Sequence, residues 1–435
     1  VKIVAAILIV VLIAVPASLL LLSGGTTLKI DPPVTAIGTA TPVQVRVENP
    51  HGIRRLTAII EQDGTRHTVT DVHEPAHRWM FWRSHESPQI RHFLAGKQQV
   101  PALHDGKARL IVEVESNDLR GRTDSVEAEV QIVSQPPRVS ADGAQHYINQ
   151  GGSELVVFTP TGYVTDSGVR VGKYEFRSFP LPSHPGERFS LFAYPWDLPA
   201  DVTPVVFARN PAGAEATARF WFKVFPKKFR VRDFPIDDAL MDRLVNQIEP
   251  GGSGDLLTRF LKINGEMRRQ NNKTLADLRL KTADHFLWSG PFLPLVNATV
   301  ESAFADKRSY IYKGKKVDEQ VHLGFDLART QHVPVPAAND GRVVWADNLG
   351  IYGNCVVVDH GYGLQSIYGH LSEFAVKAGD MVKKGQSLGK SGSTGLAGGD
   401  HLHFSMQIDG VQVNPIEWWD QHWIKDRILS KVNAQ

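Results

Sequence analysis

Across its 435 residues the chain carries one cysteine, Cys355, so no intramolecular disulfide can form. Cys355 opens the apolar run Cys355-Val356-Val357-Val358, where a small core residue in a strand is expected, and no signature supports a nucleophilic role. An excess of either charge is also missing. Lys and Arg total 48 against 46 Asp and Glu, a net charge of +2, which favours no particular partner and gives no electrostatic case for nucleic acid. The one apolar stretch long enough to span a bilayer is Ile3 to Leu22, interrupted only by Pro16 and Ser18, with Lys2 ahead of it. A signal peptide usually has a shorter apolar region ending in a small-x-small cleavage site, which Pro16-Ala17-Ser18 followed by four leucines fits poorly, so an uncleaved signal anchor is expected over residues 1–24. Lys2 favours a cytoplasmic N-terminus, with the remainder outside the cytoplasm.

Beyond the apolar run the chain reads as mainly β. Val43, Val45 and Val47 alternate with polar residues, as do Ala108, Leu110, Val112 and Val114, and Val126, Ala128, Val130 and Ile132. Short alternating runs divided by Gly, Pro and Asp turns predict a β-sandwich of immunoglobulin type over residues 28–135. Pro136-Pro137 marks a linker, and a second such module is expected over 137–226, ending in the alternation Ala216, Ala218, Phe220, Phe222, Val224. Trp196 and Trp221 are expected in its core. Residues 232–285 read as a helical linker: Ile236, Leu240, Met241, Leu244, Val245 and Ile248 recur at helical spacing, with Pro235 near the start and Pro250-Gly251-Gly252 at the end. This section is expected to be a packed spacer, or else a cover over a functional site.

The C-terminal third holds the chemistry. In His401-Leu402-His403-Phe404-Ser405-Met406-Gln407-Ile408 apolar and polar residues alternate strictly, the period of a strand, so both imidazoles share one face and Leu402, Phe404, Met406 and Ile408 anchor the other. His322, Gly324 and Asp326 share a face in a strand, and a helix would also bring positions i and i+4 together; the Phe325–Leu327 alternation favours the strand. A hydrolytic zinc takes three protein ligands from His and carboxylate and keeps a fourth position for water. Two histidines and one aspartate meet that count, and two histidines remain for proton transfer.

Taken together, His322-Leu323-Gly324-Phe325-Asp326, Tyr368-Gly369-His370-Leu371-Ser372 and His401-Leu402-His403-Phe404 resemble the catalytic domain of the lysostaphin-type (LytM-type) zinc endopeptidases, which cut peptide cross-bridges in bacterial peptidoglycan. The resemblance covers roughly residues 290–420. It implies a β-sheet peptidase domain over 288–422 with a C-terminal tail over 423–435, zinc as cofactor, and peptidoglycan as partner. It also implies His322, Asp326 and His403 as zinc ligands, His401 as general base and His370 as its assistant. Asp400 stands where many members have proline, and Ser405 where many have glutamate.

Within this domain Gly341–Ala346, Cys355–Val358 and Leu364–Tyr368 read as strands, with a hairpin turn at Asp359–Gly363 that makes His360 a turn residue. Strand parity puts Tyr368 on the face of His370, where it is expected to orient that imidazole or line the substrate groove. Residues 376–389 read as a hairpin, and the Gly-, Ser- and Thr-rich 389–399 as a flexible rim. The expected activity is zinc-dependent hydrolysis of stem peptides or cross-links, carried out on the outer side of a bacterial inner membrane and open to control by a regulatory protein. The rival reading is a noncatalytic regulator of the same fold that activates a separate wall amidase; intact histidines and aspartate favour the enzyme.

Overall fold

The structure, a computed structural model, describes residues 12–15, 17, 25–76, 88–118 and 120–432. The expected anchor over 1–24 lies almost wholly outside these residues. Among the described residues no helix is long and apolar enough to cross a membrane. The chain forms two compact units, one made of Val1–Arg138 with Thr161–Asp166 and Ala208–Ala216, the other of Val139–Pro160, Ser167–Phe207 and Thr217–Gln435.

The first unit contains a five-stranded sheet and a three-stranded sheet around one apolar core. The middle of the larger sheet is Gly106–Ser116, antiparallel to Thr123–Ile132 on one side and to Ile53–Gln62 on the other. In the smaller sheet Thr41–Glu48 lies between Thr27–Ile30 and Gln89–Ala95. The alternation sorts the side chains as expected: Val43, Val45 and Val47 are buried against Ile60, Leu110 and Val112. Burying each valine is worth roughly 1.5–3 kcal/mol, which pins the register, because a one-residue slip would turn them all outward.

In the second unit one apolar core runs from Ile148, Phe158 and Phe189 through Trp288 and Phe404 to Trp418 and Val432, and another gathers Met241, Phe260, Tyr310, Cys355 and Ile367. The first of these thus crosses the expected boundary at residue 226. Polar contacts close the same junction. Buried Glu417 accepts from Asn149 Nδ2 at 2.8 Å and from the Ser153 amide at 2.7 Å, and Trp418 Nε1 donates to Ser153 Oγ at 3.2 Å. The expected tail is part of this packing: helical turns over Gln421–Ile424, Lys425–Leu429 and Ser430–Val432 bury Ile424, Ile428 and Val432.

The elements around the histidines are β1 (Val231–Ile236), β2 (Thr299–Ser302), β3 (Asp306–Tyr312), β4 (Lys315–His322), β5 (Phe325–Ala328), β6 (Gly341–Asn348), β7 (Asn354–Asp359), β8 (Leu364–Leu371), β9 (Met381–Val382), β10 (Leu402–Ile408) and β11 (Val411–Val413). The main sheet has the order β2-β5-β10-β8-β7-β6-β9, with β11 on β10, while β1, β3 and β4 form a second sheet. Cys355 lies fully buried in β7, and burial pushes its thiol far above the ordinary range, in keeping with an inert core residue.

Three details depart from the sequence reading. The expected helical linker begins as strand β1, which holds Pro235 and pairs in parallel with β3. Helix α1 (Asp238–Ile248) starts only after Asp237, whose side chain accepts from the Leu240 amide. Helices α2 (Leu256–Lys262) and α3 (Arg268–Asp277) come next, joined by a π-helical turn. Residues 376–389 do not pair as one hairpin: β9 joins β6, whereas Ser387–Lys390 pairs with Pro334–Pro336 and Glu373–Phe374.

Candidate metal centre and its cavity

Strand β10 lies in the middle of the main sheet, paired with β5 through Asp326↔His403 and with β8 through Gly369↔His403. Antiparallel pairing therefore puts the Asp326 carboxylate beside the His403 imidazole. His322 arrives differently. It ends β4 in the second sheet, and the chain turns at Leu323-Gly324 before β5 begins, so His322 and Asp326 are brought together by a bend between two strands. Gly324 sits in the tightest part of this bend: a Cβ there would lie 2.6 Å from His403 Cε1 and 2.8 Å from the Phe404 carbonyl oxygen. Only a residue without a side chain leaves the imidazole its place.

The three side chains converge. Asp326 Oδ1 lies 2.9 Å from His322 Nε2 and 3.1 Å from His403 Nδ1, and those two nitrogens are 3.0 Å apart. The possible ligand atoms all fall within 4.8 Å of one another, and the three residues form a candidate metal group among the described residues. Two imidazole nitrogens and one carboxylate oxygen, buried together, make a donor set that suits a zinc ion with an open position. Each donor has a neighbour that orients it. His322 Nδ1 faces the Ala303 carbonyl oxygen at 3.1 Å, and Arg308 Nη2 donates to Asp326 Oδ2 at 2.7 Å, leaving Oδ1 turned to the histidines.

His401 and His370 stand beside this group with ring centres 4.8 Å apart. His401 Nδ1 donates to the Gly399 carbonyl oxygen at 2.9 Å, and its Nε2 lies 3.4 Å from Asp326 Oδ1. His370 Nδ1 donates to the Thr394 carbonyl oxygen at 2.8 Å. Burial works against a charge on Asp326, but the His322 charge and the hydrogen bonds of His322, His401 and His403 hold its carboxyl well below the usual range. Burial and the neighbouring His401 and His403 drive His370 well below the ordinary histidine value. For His401 burial also lowers the value, yet the hydrogen bond and charge of Asp326 outweigh it and the net shift is upward. The two imidazoles are thus shifted in opposite directions by their surroundings.

Tyr368 is placed elsewhere. It is fully buried on the core side, its ring centre is 5.4 Å from that of Phe404, and its hydroxyl oxygen accepts from the Ala338 amide at 2.7 Å. Strand parity fails between Tyr368 and His370 because His370 takes a left-handed conformation, φ 64°, at the end of β8. His360 is buried at the expected turn, with Nε2 2.7 Å from Ser366 Oγ, away from the metal group. The two positions that depart from the family pattern serve the local fold. Asp400 accepts from Ser391 Oγ at 2.6 Å, and Ser405 Oγ donates to the Leu323 carbonyl oxygen at 2.6 Å.

All five polar residues open on one cavity of about 370 Å³. Leu240 and Leu244 of α1, Phe260 of α2 and Asn272 of α3 also line this cavity. Helix α1 is also tied to the rim before His401: Arg243 Nη2 donates to Gly398 O at 2.9 Å and Gln247 Nε2 to Ser393 O at 2.8 Å. The rim is thus held by side chains, and none of the five site residues is more than 8% exposed.

Residues 320–415 match Peptidase family M23, and this segment is an M23 domain of the lysostaphin type. DD-carboxypeptidase/endopeptidase Mpg of Neisseria meningitidis serogroup B is 37% identical over 123 residues, 28% of this chain and 27% of that protein. Peptidoglycan DD-endopeptidase ShyA of Vibrio cholerae is 41% identical over 96 residues, 22% of each. Murein hydrolase activator EnvC of Escherichia coli is 39% identical over 95 residues, 22% of this chain and 23% of that protein. The chain spans about a quarter of the length of the curated relatives it matches.

Proposed function

We infer that this chain is a zinc-dependent endopeptidase that hydrolyses peptide bonds in peptidoglycan stem peptides or cross-links. The observation that carries this reading is the convergence of His322 Nε2, Asp326 Oδ1 and His403 Nδ1 beside two further imidazoles facing one cavity. When bound by His322, Asp326 and His403, zinc supplies Lewis-acid polarisation of the scissile carbonyl and acidifies water. His401 accepts the proton of the attacking water at Nε2, the nitrogen left free by its bond to Gly399. His370, with its Nδ1 proton fixed on the Thr394 carbonyl, has Nε2 free to take that proton from His401, 4.8 Å away between ring centres, and pass it to the leaving amine nitrogen. Relatives whose names are DD-endopeptidases support the substrate class. The activity belongs in a bacterial cell envelope, with the chain anchored in the inner membrane through residues 1–24 and the peptidase domain outside the cytoplasm. The N-terminal β-sandwich then serves as an immunoglobulin-type spacer.

The test is mass spectrometry of fragments released from purified peptidoglycan with and without added zinc. Peptide-bond products that require zinc are expected, and both His322→Ala and His401→Ala should lose them, the first with its metal and the second while keeping it. The similarity to EnvC supports one rival, a noncatalytic activator. Zinc-loaded protein that releases nothing but stimulates a wall amidase in a mixed assay would decide for that rival.

A further inference from the structure

A group of side chains that the metal centre does not use lies on the β module ahead of the peptidase domain. In Phe222–Phe225 the alternation is strict: Phe222 and Val224 pack on the core, while Trp221, Lys223 and Phe225 point out, with Trp221 46% and Phe225 41% exposed. The expectation of a core position holds for Trp196, which packs against the core, but not for Trp221. Strand His146–Asn149 runs parallel to this segment in the register Tyr147↔Lys223, which puts Tyr147 on the same outer face. The Tyr147 ring centre is 5.1 Å from that of Trp221 and 6.2 Å from that of Phe225, with the last two rings within 14° of parallel. Two cations lie over rings of this group, the Arg427 guanidinium 5.1 Å from the centre of Tyr147 and the Lys223 ammonium 5.4 Å from that of Phe225, leaving Trp221 as the ring without a cation on it among the described residues.

Single exposed aromatics need no explanation, but two exposed rings with a half-buried third beside them on one strand face form a patch of the kind that marks an interaction site. We propose that Trp221, Tyr147 and Phe225, bordered by Lys223 and Arg427, bind the glycan strand of peptidoglycan. A pyranose ring presents faces of C–H groups and an equatorial belt of polar groups. Its faces bury against aromatic rings while the belt stays hydrated, so contact gains apolar burial without stranding polar groups. Lys223 and Arg427 complement the carboxylates that hang from such a strand. The rings follow an extended pair of strands, a form that suits a linear polymer. The inference rests on the peptidoglycan reading, because that polymer carries both sugar faces and carboxylates.

The test measures binding of the full chain to purified sacculi by sedimentation, and to peptide-free glycan strands by calorimetry. Trp221→Ala combined with Phe225→Ala should lower both affinities about tenfold or more, and Trp221→Tyr should retain most of the binding. Cleavage of a small soluble cross-linked peptide that carries no sugar should be unchanged in these variants. Failure of the wild type to bind peptide-free glycan, or equal binding by the double alanine variant, overturns the proposal. Sacculus binding that vanishes once wall proteins are digested away also overturns it, in favour of a protein partner. Glycan binding without peptide cleavage sinks the endopeptidase reading alone, whereas peptide cleavage without glycan binding sinks this one alone.

Discussion

Arg243 on α1 donates to the carbonyl oxygen of Gly398, three positions before His401, at 2.9 Å. With Gln247 on Ser393, this fixes the helix over the cavity that holds the metal group. On the proposed function, freeing α1 from this rim is expected to ease the entry of a bulky cross-linked strand. Each bond is worth about 1 kcal/mol. Arg243→Ala with Gln247→Ala should therefore speed digestion of intact sacculi by roughly five- to thirtyfold, with a smaller gain on a short soluble peptide. Equal rates for wild type and variant on sacculi would show that α1 does not limit access.

Arg308 is expected to set metal affinity without touching the metal. Its guanidinium holds Asp326 Oδ2 at 2.7 Å and so aims Oδ1 at the histidines. Losing such an orienting partner typically costs about 10–100-fold in affinity. Arg308→Ala should fall in that range when zinc is titrated against a competing chelator, while Arg308→Lys should recover part of the loss.

Gly324→Ala tests the bend between β4 and β5. The new methyl group would sit 2.6 Å from His403 Cε1, so either the ring or the strand must move. Zinc affinity should drop by at least about tenfold with the circular dichroism spectrum unchanged.

Glu417 makes the stability of its unit depend on pH. Burial pushes its carboxyl up to about 7 from an ordinary 4.5, only partly offset by hydrogen bonds from Asn149 and Ser153. Below 4.5 the group is neutral folded or unfolded. Between 4.5 and about 7 the unfolded chain ionises first, so this contribution to stability is lost as pH rises, and above 7 the loss is complete. The difference is on the order of 3 kcal/mol. Chemical denaturation of the second unit should show this decline from pH 5 to pH 8, and Glu417→Gln should flatten it.

Much of the site is legible in the sequence. The alternation around His401 and His403 is a property of neighbouring residues, and β10 forms where it predicts. The same holds for β6, β7 and β8, and for the turn at His360. Period-two reasoning misplaces Tyr368 because it assumes an unbroken strand, and the left-handed backbone of His370 interrupts it. Arg308 carries no local signal, since it meets Asp326 from a different sheet. Gly399 and Thr394 act through carbonyl oxygens, which every residue has, so nothing in their identity points to the imidazoles they orient.

By itself, then, the amino-acid sequence determined the identity of the donors, the strand that carries His403 directly after His401, and the mainly β architecture, because each is encoded at short range by side-chain type and alternation. Tertiary structure alone decided that β4 delivers His322 to Asp326 and His403, that α1 lines the cavity, and that one core runs from Ile148 to Trp418. These relations join residues far apart in the chain, and they are settled by which apolar faces bury one another rather than by any local pattern.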